Sequence, residues 1–424
     1  MLISGGRTRL EERLMPDQIT DLPAPFGAAS AAHPYPEYAR LRDSEGIRRI
    51  RIRPGLEPWL VSRYADVRAV LGDDRLGTDP AGTTEQVRAA IAVGRAEERV
   101  ALLGRHLLSV DPPDHTRMRR LMSRALTARR MGELEAPVQA LTERLLDGLA
   151  DGGEADLLAD FTLPLAVGVI CRIIGIPEQD HPAFVAWGRA LVRAELEDNA
   201  EFETVSDEMA DYLVPFILKR RHSPADDLVS VLATARDEER LDDHELISLV
   251  YQLFFAGHES SAYFMANAVL TLLRHPEELA ALRADPDLVG DAVEELLRFE
   301  GSVKVPTWRF AKEDLVVAGT AIAAGEPVLA LLASAGRDPA RFTDPDSFRI
   351  DRADASHLAF SHGIHHCMGA AVGRMESRVA LRALLRRFPQ LRLAVPADSL
   401  RWRVNLMMRG VCELPVLLGP SVTP

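Results

Sequence analysis

A mainly α chain with small β-sheets, one large helical domain with a smaller β-rich edge, is predicted by three features of these 424 residues. Apolar residues recur at helical spacing along most of the length. Runs of β-type alternation are few and short. No repeat, low-complexity run or Pro/Gly-rich linker divides the chain. At 47% hydrophobic residues there is enough apolar side chain for a large core. Residues 1–20 carry mixed charge with little periodicity and read as a loose arm ahead of a domain over residues 21–424.

Taken in order, the periodicity predicts helices near Pro34–Arg42, Tyr64–Leu71, Pro112–Ala125, Met131–Leu149, Leu163–Ile174, Glu203–Arg221, Asp243–Arg274, Pro276–Ala284, Leu288–Phe299 and Met368–Arg387. Strands are expected at Ile47–Ile52 and Pro58–Ser62 as a hairpin, at Leu315–Val317 and Val328–Leu332, and at Leu391–Val395 with Val411–Leu417 as a terminal sheet. The Asp243–Arg274 helix, at about 30 residues and ~1.5 Å each, spans ~45 Å and crosses a whole domain. Inside it, Ala256-Gly257-His258-Glu259-Ser260-Ser261 is a poor composition for a buried helix. Ala256 and Gly257 leave room for a ligand beside the backbone, Gly and Ser favour a bend or a π-type turn, and an acid beside an alcohol suits proton handling.

Composition excludes several classes of function. A formal net charge of −13 argues against nucleic acid. No apolar stretch reaches the 18 residues or so that a membrane helix needs. An odd count of three cysteines without a signal peptide points to a reducing, cytoplasmic setting. Against that acidic background, His115 to Arg130 holds Arg117, Arg119, Arg120, Arg124, Arg129 and Arg130 and no acid, either a basic docking patch or a solvated helix face.

Phe360-Ser361-His362-Gly363-Ile364-His365-His366-Cys367-Met368-Gly369 reads as a tight loop presenting one cysteine at the start of a helix. Gly363 allows the positive φ of a sharp turn, and Gly369 lets backbone approach a flat cofactor. Free N–H groups at the helix start favour an anionic sulfur. A zinc site from His362, His365, His366 and Cys367 and a purely structural cysteine are the alternatives. Zinc wants four convergent ligands, which adjacent residues supply poorly.

The decamer matches F-x-x-G-x-H-x-C-x-G, and through it the chain resembles the cytochrome P-450 family of haem-thiolate monooxygenases. The resemblance runs from about Pro34 to the C-terminus and implies the P-450 fold, haem b (iron protoporphyrin IX) as cofactor, and Cys367 as the axial iron ligand, with Phe360 and Gly369 framing the cofactor. It implies that His115, Arg119, Arg309 and His365 bind the haem propionates. It also implies that Glu295 and Arg298, at helical i and i+3, form the structural pair of the Glu-x-x-Arg helix. The segment Ala256 to Ser260 stands at the family's oxygen-binding position, where threonine is usual. Serine there keeps the hydroxyl and loses the methyl that stiffens χ1. Glu259 is then expected to relay protons and Ser260 to assist their delivery.

By the same resemblance Leu253, Phe254, Ala256, Val303, Val305, Met407 and Met408 line a pocket for a bulky apolar substrate, and Lys304 is either solvated or structural, or a contact to an anionic or carbonyl-bearing substrate. No nicotinamide or flavin motif is present, so electrons are expected from a ferredoxin and ferredoxin reductase docking near the Arg-rich helix and Arg374. The implied reaction inserts one oxygen atom from O2 into a C–H bond or double bond of a secondary metabolite such as a macrolide or polyketide. The alternatives are a peroxide-using or isomerising haem enzyme, and a haem protein that binds ligand without turnover.

Overall fold

A computed structural model describes residues 23–44, 46–92, 104–149, 153–197, 199–235, 240–354 and 356–422. The arm expected at residues 1–20 lies outside them.

Every predicted helix is present, with ends shifted by a few residues. The longest, Asp243–Arg274, opens with a reciprocal cap. Glu245 N–H donates to Asp242 Oδ1 at 2.7 Å while Asp242 N–H donates to Glu245 Oε2 at 3.2 Å. Leu246, Leu249, Val250, Phe254 and Leu270 sink into the principal core, each worth ~1.5–3 kcal/mol of burial. This helix packs along Leu163–Ile174.

No π-type turn interrupts Ala256–Ser261: the helix is α from end to end. A π turn lies instead at Leu158–Thr162, leading into the helix that packs against it. That packing also explains Gly257. A Cβ there would stand 2.7 Å from Ile170 Cδ1, so the missing side chain admits a neighbouring helix and not a ligand.

Helices at Glu85–Ala92, His181–Glu197 and Leu228–Ala233 add to the expected elements. Mixed polar and apolar order hides the second, which is held by the aromatic cluster of Phe184, Trp187, Tyr212 and Phe254. Its structure comes from tertiary contact, which local spacing does not carry.

Strands β1 (Ile47–Arg49) and β2 (Trp59–Val61) form the predicted hairpin. With β3 (Leu76–Gly77), β5 (Arg309–Ala311) and β8 (Pro327–Ala330) they build a five-stranded sheet ordered β1-β2-β8-β5-β3, parallel only between β2 and β8. β6 (Leu315–Val317) pairs with β7 (Thr320–Ile322). β9 (Arg392–Leu393) and β10 (Pro415–Leu417) form the terminal sheet, joined by β4 (Glu154–Asp156), which sequence pattern does not reveal. Two smaller apolar clusters belong to this β-rich edge: one around Ile47, Val61 and Val328, the other around Phe26, Tyr38, Leu60 and Val305.

Candidate active site

The cysteine loop is fixed by backbone before any side chain acts. Cys367 N–H donates to Phe360 O at 2.9 Å, closing the turn. Gly363 has φ +72, and a Cβ there would strike Leu71 O at 2.4 Å, so only glycine fits. The helix beyond begins at Ala370, two residues later than the sequence predicts, with Gly369 as its cap. A Cβ on Gly369 would stand 3.8 Å from Cys367 Sγ, beside the sulfur. The thiol is accessible, yet burial by the surrounding protein pushes its pKa up. The Gly369 N–H, Arg119 and Arg374 oppose that shift and favour the anion. Phe360 is half-buried, with its ring edge 3.7 Å from where a Gly373 Cβ would lie and the Arg374 guanidinium 4.5 Å above it.

Three residues far apart in sequence meet close to this loop. The His115 and His365 rings lie 4.3 Å apart at their centroids, and Arg309 on β5 acts on both electrostatically. His115 Nε2, His365 Nδ1 and Arg309 Nη2 are buried without a hydrogen-bond partner. Burial, then Arg119 and Arg309, push His115 down to about 4, with Asp111 opposing. Burial, then Arg309, His115 and Arg119, push His365 down to about 2. Both imidazoles are therefore neutral at pH 7. Burial lowers Arg309 to about 10. Buried donors are normally satisfied, so a cluster of them beside a guanidinium fits a buried anionic ligand. The carboxylates of haem b meet that description, and Cys367 supplies the sulfur. The residues fit the group. Arg119 Nη2 donates to His366 O at 2.8 Å, bracing the loop. Among the described residues no group of three or more His, Cys, Asp or Glu is arranged to hold a metal ion, which leaves the zinc alternative without a site.

On the long helix Ala256 is exposed, with Ser260 one turn on. Ser260 Oγ–H donates to Ala256 O at 2.7 Å, so its proton is held and its lone pairs remain to accept. Glu259 meets Arg403 from the C-terminal hairpin, Nη1 to Oε1 at 2.6 Å. Burial pushes the Glu259 carboxyl up to about 7. His258 is turned inward, stacked on Phe254 at 4.5 Å. A second acid escapes sequence reasoning: Glu376, hydrogen-bonded by Ser261, is raised by burial to about 8 and is neutral at pH 7. Nothing in the helical pattern of Ala370–Arg387 marks it, because a lone Glu usually faces water.

The expected pocket residues divide. Leu253, Val303, Met407 and Met408 are partly exposed, and Val303 bridges to Met408. Phe254, Lys304 and Val305 are buried against other side chains, which corrects their assignment to the lining. Phe254 packs edge-on to Phe184, and Val305 belongs to the Phe26 cluster. Lys304 Nζ donates to Asn405 O and lies 5.2 Å from the Phe26 ring centroid, a structural lysine lowered by burial to about 7.

Beneath the loop, Glu295 takes two hydrogen bonds from Arg298, at 2.6 and 2.7 Å. It takes two more from Arg352 Nε, each at 3.1 Å, and one from Arg349 N–H at 3.1 Å. Arg298 in turn donates to the carbonyls of Gly336, Pro345 and Ser347. Arg352 sits in irregular chain, where no periodicity points to it. Arg374 is bidentate to Glu294, at 2.6 and 2.8 Å, so its charge is neutralised, which counts against it as an open docking cation. In the Arg-rich helix, Arg117 turns in to Glu245 while Arg120 and Arg124 face out.

Residues 196–403 match the family model described as Cytochrome P450. The chain is 41% identical over 406 residues to Cytochrome P450 107B1 of Saccharopolyspora erythraea, covering 95% of this chain and 99% of that one. It is 40% identical over 383 residues to the Mycinamicin IV hydroxylase/epoxidase of Micromonospora griseorubida, covering 90% and 94%. Its fold matches that of the myxobacterial cytochrome P450 CYP267B1 in complex with myristic acid, at TM-score 0.85 and 37% identity over 93% of this chain and 98% of that one. Among the described residues no helix is long and apolar enough to cross a membrane. With this fold closed around this cysteine loop, and two-fifths of its residues shared across nearly whole chains, the protein belongs to the cytochrome P450 family and is a haem-thiolate monooxygenase.

Proposed function

We propose that this monooxygenase hydroxylates or epoxidises a bulky, largely apolar secondary metabolite of the macrolide or polyketide class, in the cytoplasm, with electrons from a ferredoxin and ferredoxin reductase. The observation that carries the reading is the set of buried, unpartnered nitrogens His115 Nε2, His365 Nδ1 and Arg309 Nη2 close to the Cys367 loop. Haem b, when bound, supplies activation of O2, and a thiolate ligand favours cleavage of its O–O bond. The chain's own residues do the rest. Neutral His115 and His365 donate N–H bonds to the propionates, and Arg309 supplies the charge that keeps two carboxylates ionised out of water. Ser260 holds its hydroxyl on the Ala256 carbonyl and accepts a hydrogen bond, such as that of a water, through its free lone pairs. Glu259, met from the hairpin side by Arg403, is the titratable group that takes up and releases protons.

Leu253, Val303, Met407 and Met408 present apolar surface, and two flexible methionines adapt to a large ring better than branched side chains do. The mycinamicin-oxidising relative supports that substrate class. The run from His115 to Arg130, with six arginines and no acid on an otherwise acidic protein, and with Arg120 and Arg124 exposed, supports an acidic ferredoxin as the donor. Titrating the ferric holoenzyme with a panel of macrolides, linear polyketides and fatty acids, and following the Soret band, tests the substrate class. Macrolides are expected to shift the band at the lowest concentrations, and a response confined to fatty acids rejects the class. Reduction by an acidic ferredoxin is expected to slow as salt rises, and a salt-independent rate rejects charge-steered docking.

A further inference from the structure

The acid of the long helix is held by a distant piece of chain. The hairpin that closes with Trp402 opposite Val411 lies flush on the helix face from Glu259 to Asn267. Its Arg409 O accepts from Asn267 Nδ2 at 3.0 Å, and a Cβ on Gly410 would run into the Tyr263 ring at 2.1 Å. Ser302, bonded at its carbonyl by Arg409 N–H, donates its own hydroxyl to Ser260 O at 2.7 Å. Arg403 N–H donates to Gly410 O across the hairpin, and its guanidinium lies 4.6 Å over the Tyr263 ring, with the side chain 1% exposed. From that enclosed position it reaches Glu259. The hairpin tip carries Met407 and Met408, whose N–H groups both donate to Asn405 Oδ1 at 2.8 Å.

We propose that Arg403 is a positioning residue for Glu259, so that the C-terminal hairpin, and not the helix alone, sets the ionisation of the acid and its proton supply. This rests on the proton-handling reading of Glu259 given above. A buried carboxylate without a counter-charge takes up a proton, whereas a guanidinium held rigidly at hydrogen-bond distance keeps it ionised. The other titratable groups around the pair are Tyr263 on the same helix, Cys412 past the hairpin, and Glu376 on the helix Ala370–Arg387, which reaches Ser261. None of these is a cation, so among the described residues the positive charge facing Glu259 is that of Arg403.

Infrared titration of the ferric holoenzyme tests this, with Glu259→Gln identifying the carboxyl band by its loss. Arg403→Gln is expected to raise the Glu259 midpoint by at least about one pH unit, a tenfold change in the ratio of ionised to protonated acid. Arg403→Lys, which keeps charge and loses the planar fork, is expected to raise it less. An unmoved midpoint in Arg403→Gln overturns the proposal. If that variant does not load haem, an unmoved midpoint in Arg403→Lys, in a crystal form where the substituted amine no longer reaches Glu259, overturns it instead. Peroxide released per NADPH separates this from the underlying reading. Glu259→Gln is expected to release several-fold more peroxide, and Arg403→Gln is expected to add nothing in that background. Unchanged peroxide in Glu259→Gln alone removes the acid from the proton supply even where Arg403 still moves its midpoint. Additive effects in the double variant make Arg403 structural only.

Discussion

The two halves of the site are built to different tolerances. Under the cysteine loop Glu295 is enclosed by two arginines and a backbone N–H, and the arginine side chains continue into backbone carbonyls of the segment 336–347. On the long-helix side Glu259 meets one arginine and Ser260 spends its proton within its own helix. The first arrangement over-determines where the loop sits, since no single bond carries its position. The second rests on individual contacts, so each of its side chains tunes the chemistry separately. Scaffold and adjustable site are thereby divided, as when variable loops stand on a rigid frame.

The largest effect expected is on the sulfur. Cys367→Ser should abolish the red-shifted band of the reduced, carbon-monoxide-bound protein, and an unaltered band would end the assignment. Next comes the frame. Glu295→Ala strands Arg298 and Arg352 in the interior and should cost ~3–5 kcal/mol, read as a lower denaturant midpoint of the holoprotein. A loss of only ~0–1 kcal/mol, typical of a surface pair, would erase the contrast between the halves. Removing one cofactor donor should matter less. His365→Phe forfeits a hydrogen bond to a charged group worth ~1.5–3 kcal/mol, so haem should transfer to apomyoglobin roughly 10- to 150-fold more readily. An unchanged transfer rate would take His365 out of the propionate site.

Smaller still is a pH effect. Glu376, raised to about 8 by burial against the ordinary 4.5, binds more protons folded than unfolded between those values. Its contribution to stability is full below pH 4.5 and is lost as pH rises toward about 8. Glu376→Gln, neutral throughout, should flatten the fall in melting temperature across that window. An undiminished slope would show that another group is responsible. The smallest expected change is in Ser260→Thr. The added methyl restricts χ1 and should raise product per NADPH modestly, by less than about tenfold, the equivalent of 1.4 kcal/mol. A decrease would mean that the serine suits this helix better than threonine does.

How much of this is legible in the chain depends on whether the signal is local. The helical class, the long helix and the cysteine turn follow from spacing and from glycines whose conformation or clearance leaves no choice. Gly257 shows the limit. Its small size is plain in the sequence, but only packing reveals that Ile170 needs the space. Phe254 reads as a pocket residue because an all-round apolar helix does not show which face is which, and tertiary contact with Phe184 decides it. Lys304 and Val305 follow a similar rule: alternation along an irregular segment cannot say that the Phe26 cluster lies on the other side. Arg352, Arg403 and Glu376 work through partners distant in sequence, and charge pairs across such separations leave no periodic trace.

Gly363 presses its backbone against the carbonyl of Leu71 so closely that no side chain can intervene. The seat of the pigment is thus made from segments that leave the ribosome early and late. The early helix waits for its counterpart through most of synthesis, and closing so long a loop carries an entropic penalty. Red colour should therefore develop only in full-length chains, and nascent ones stalled before the cysteine turn should stay pale.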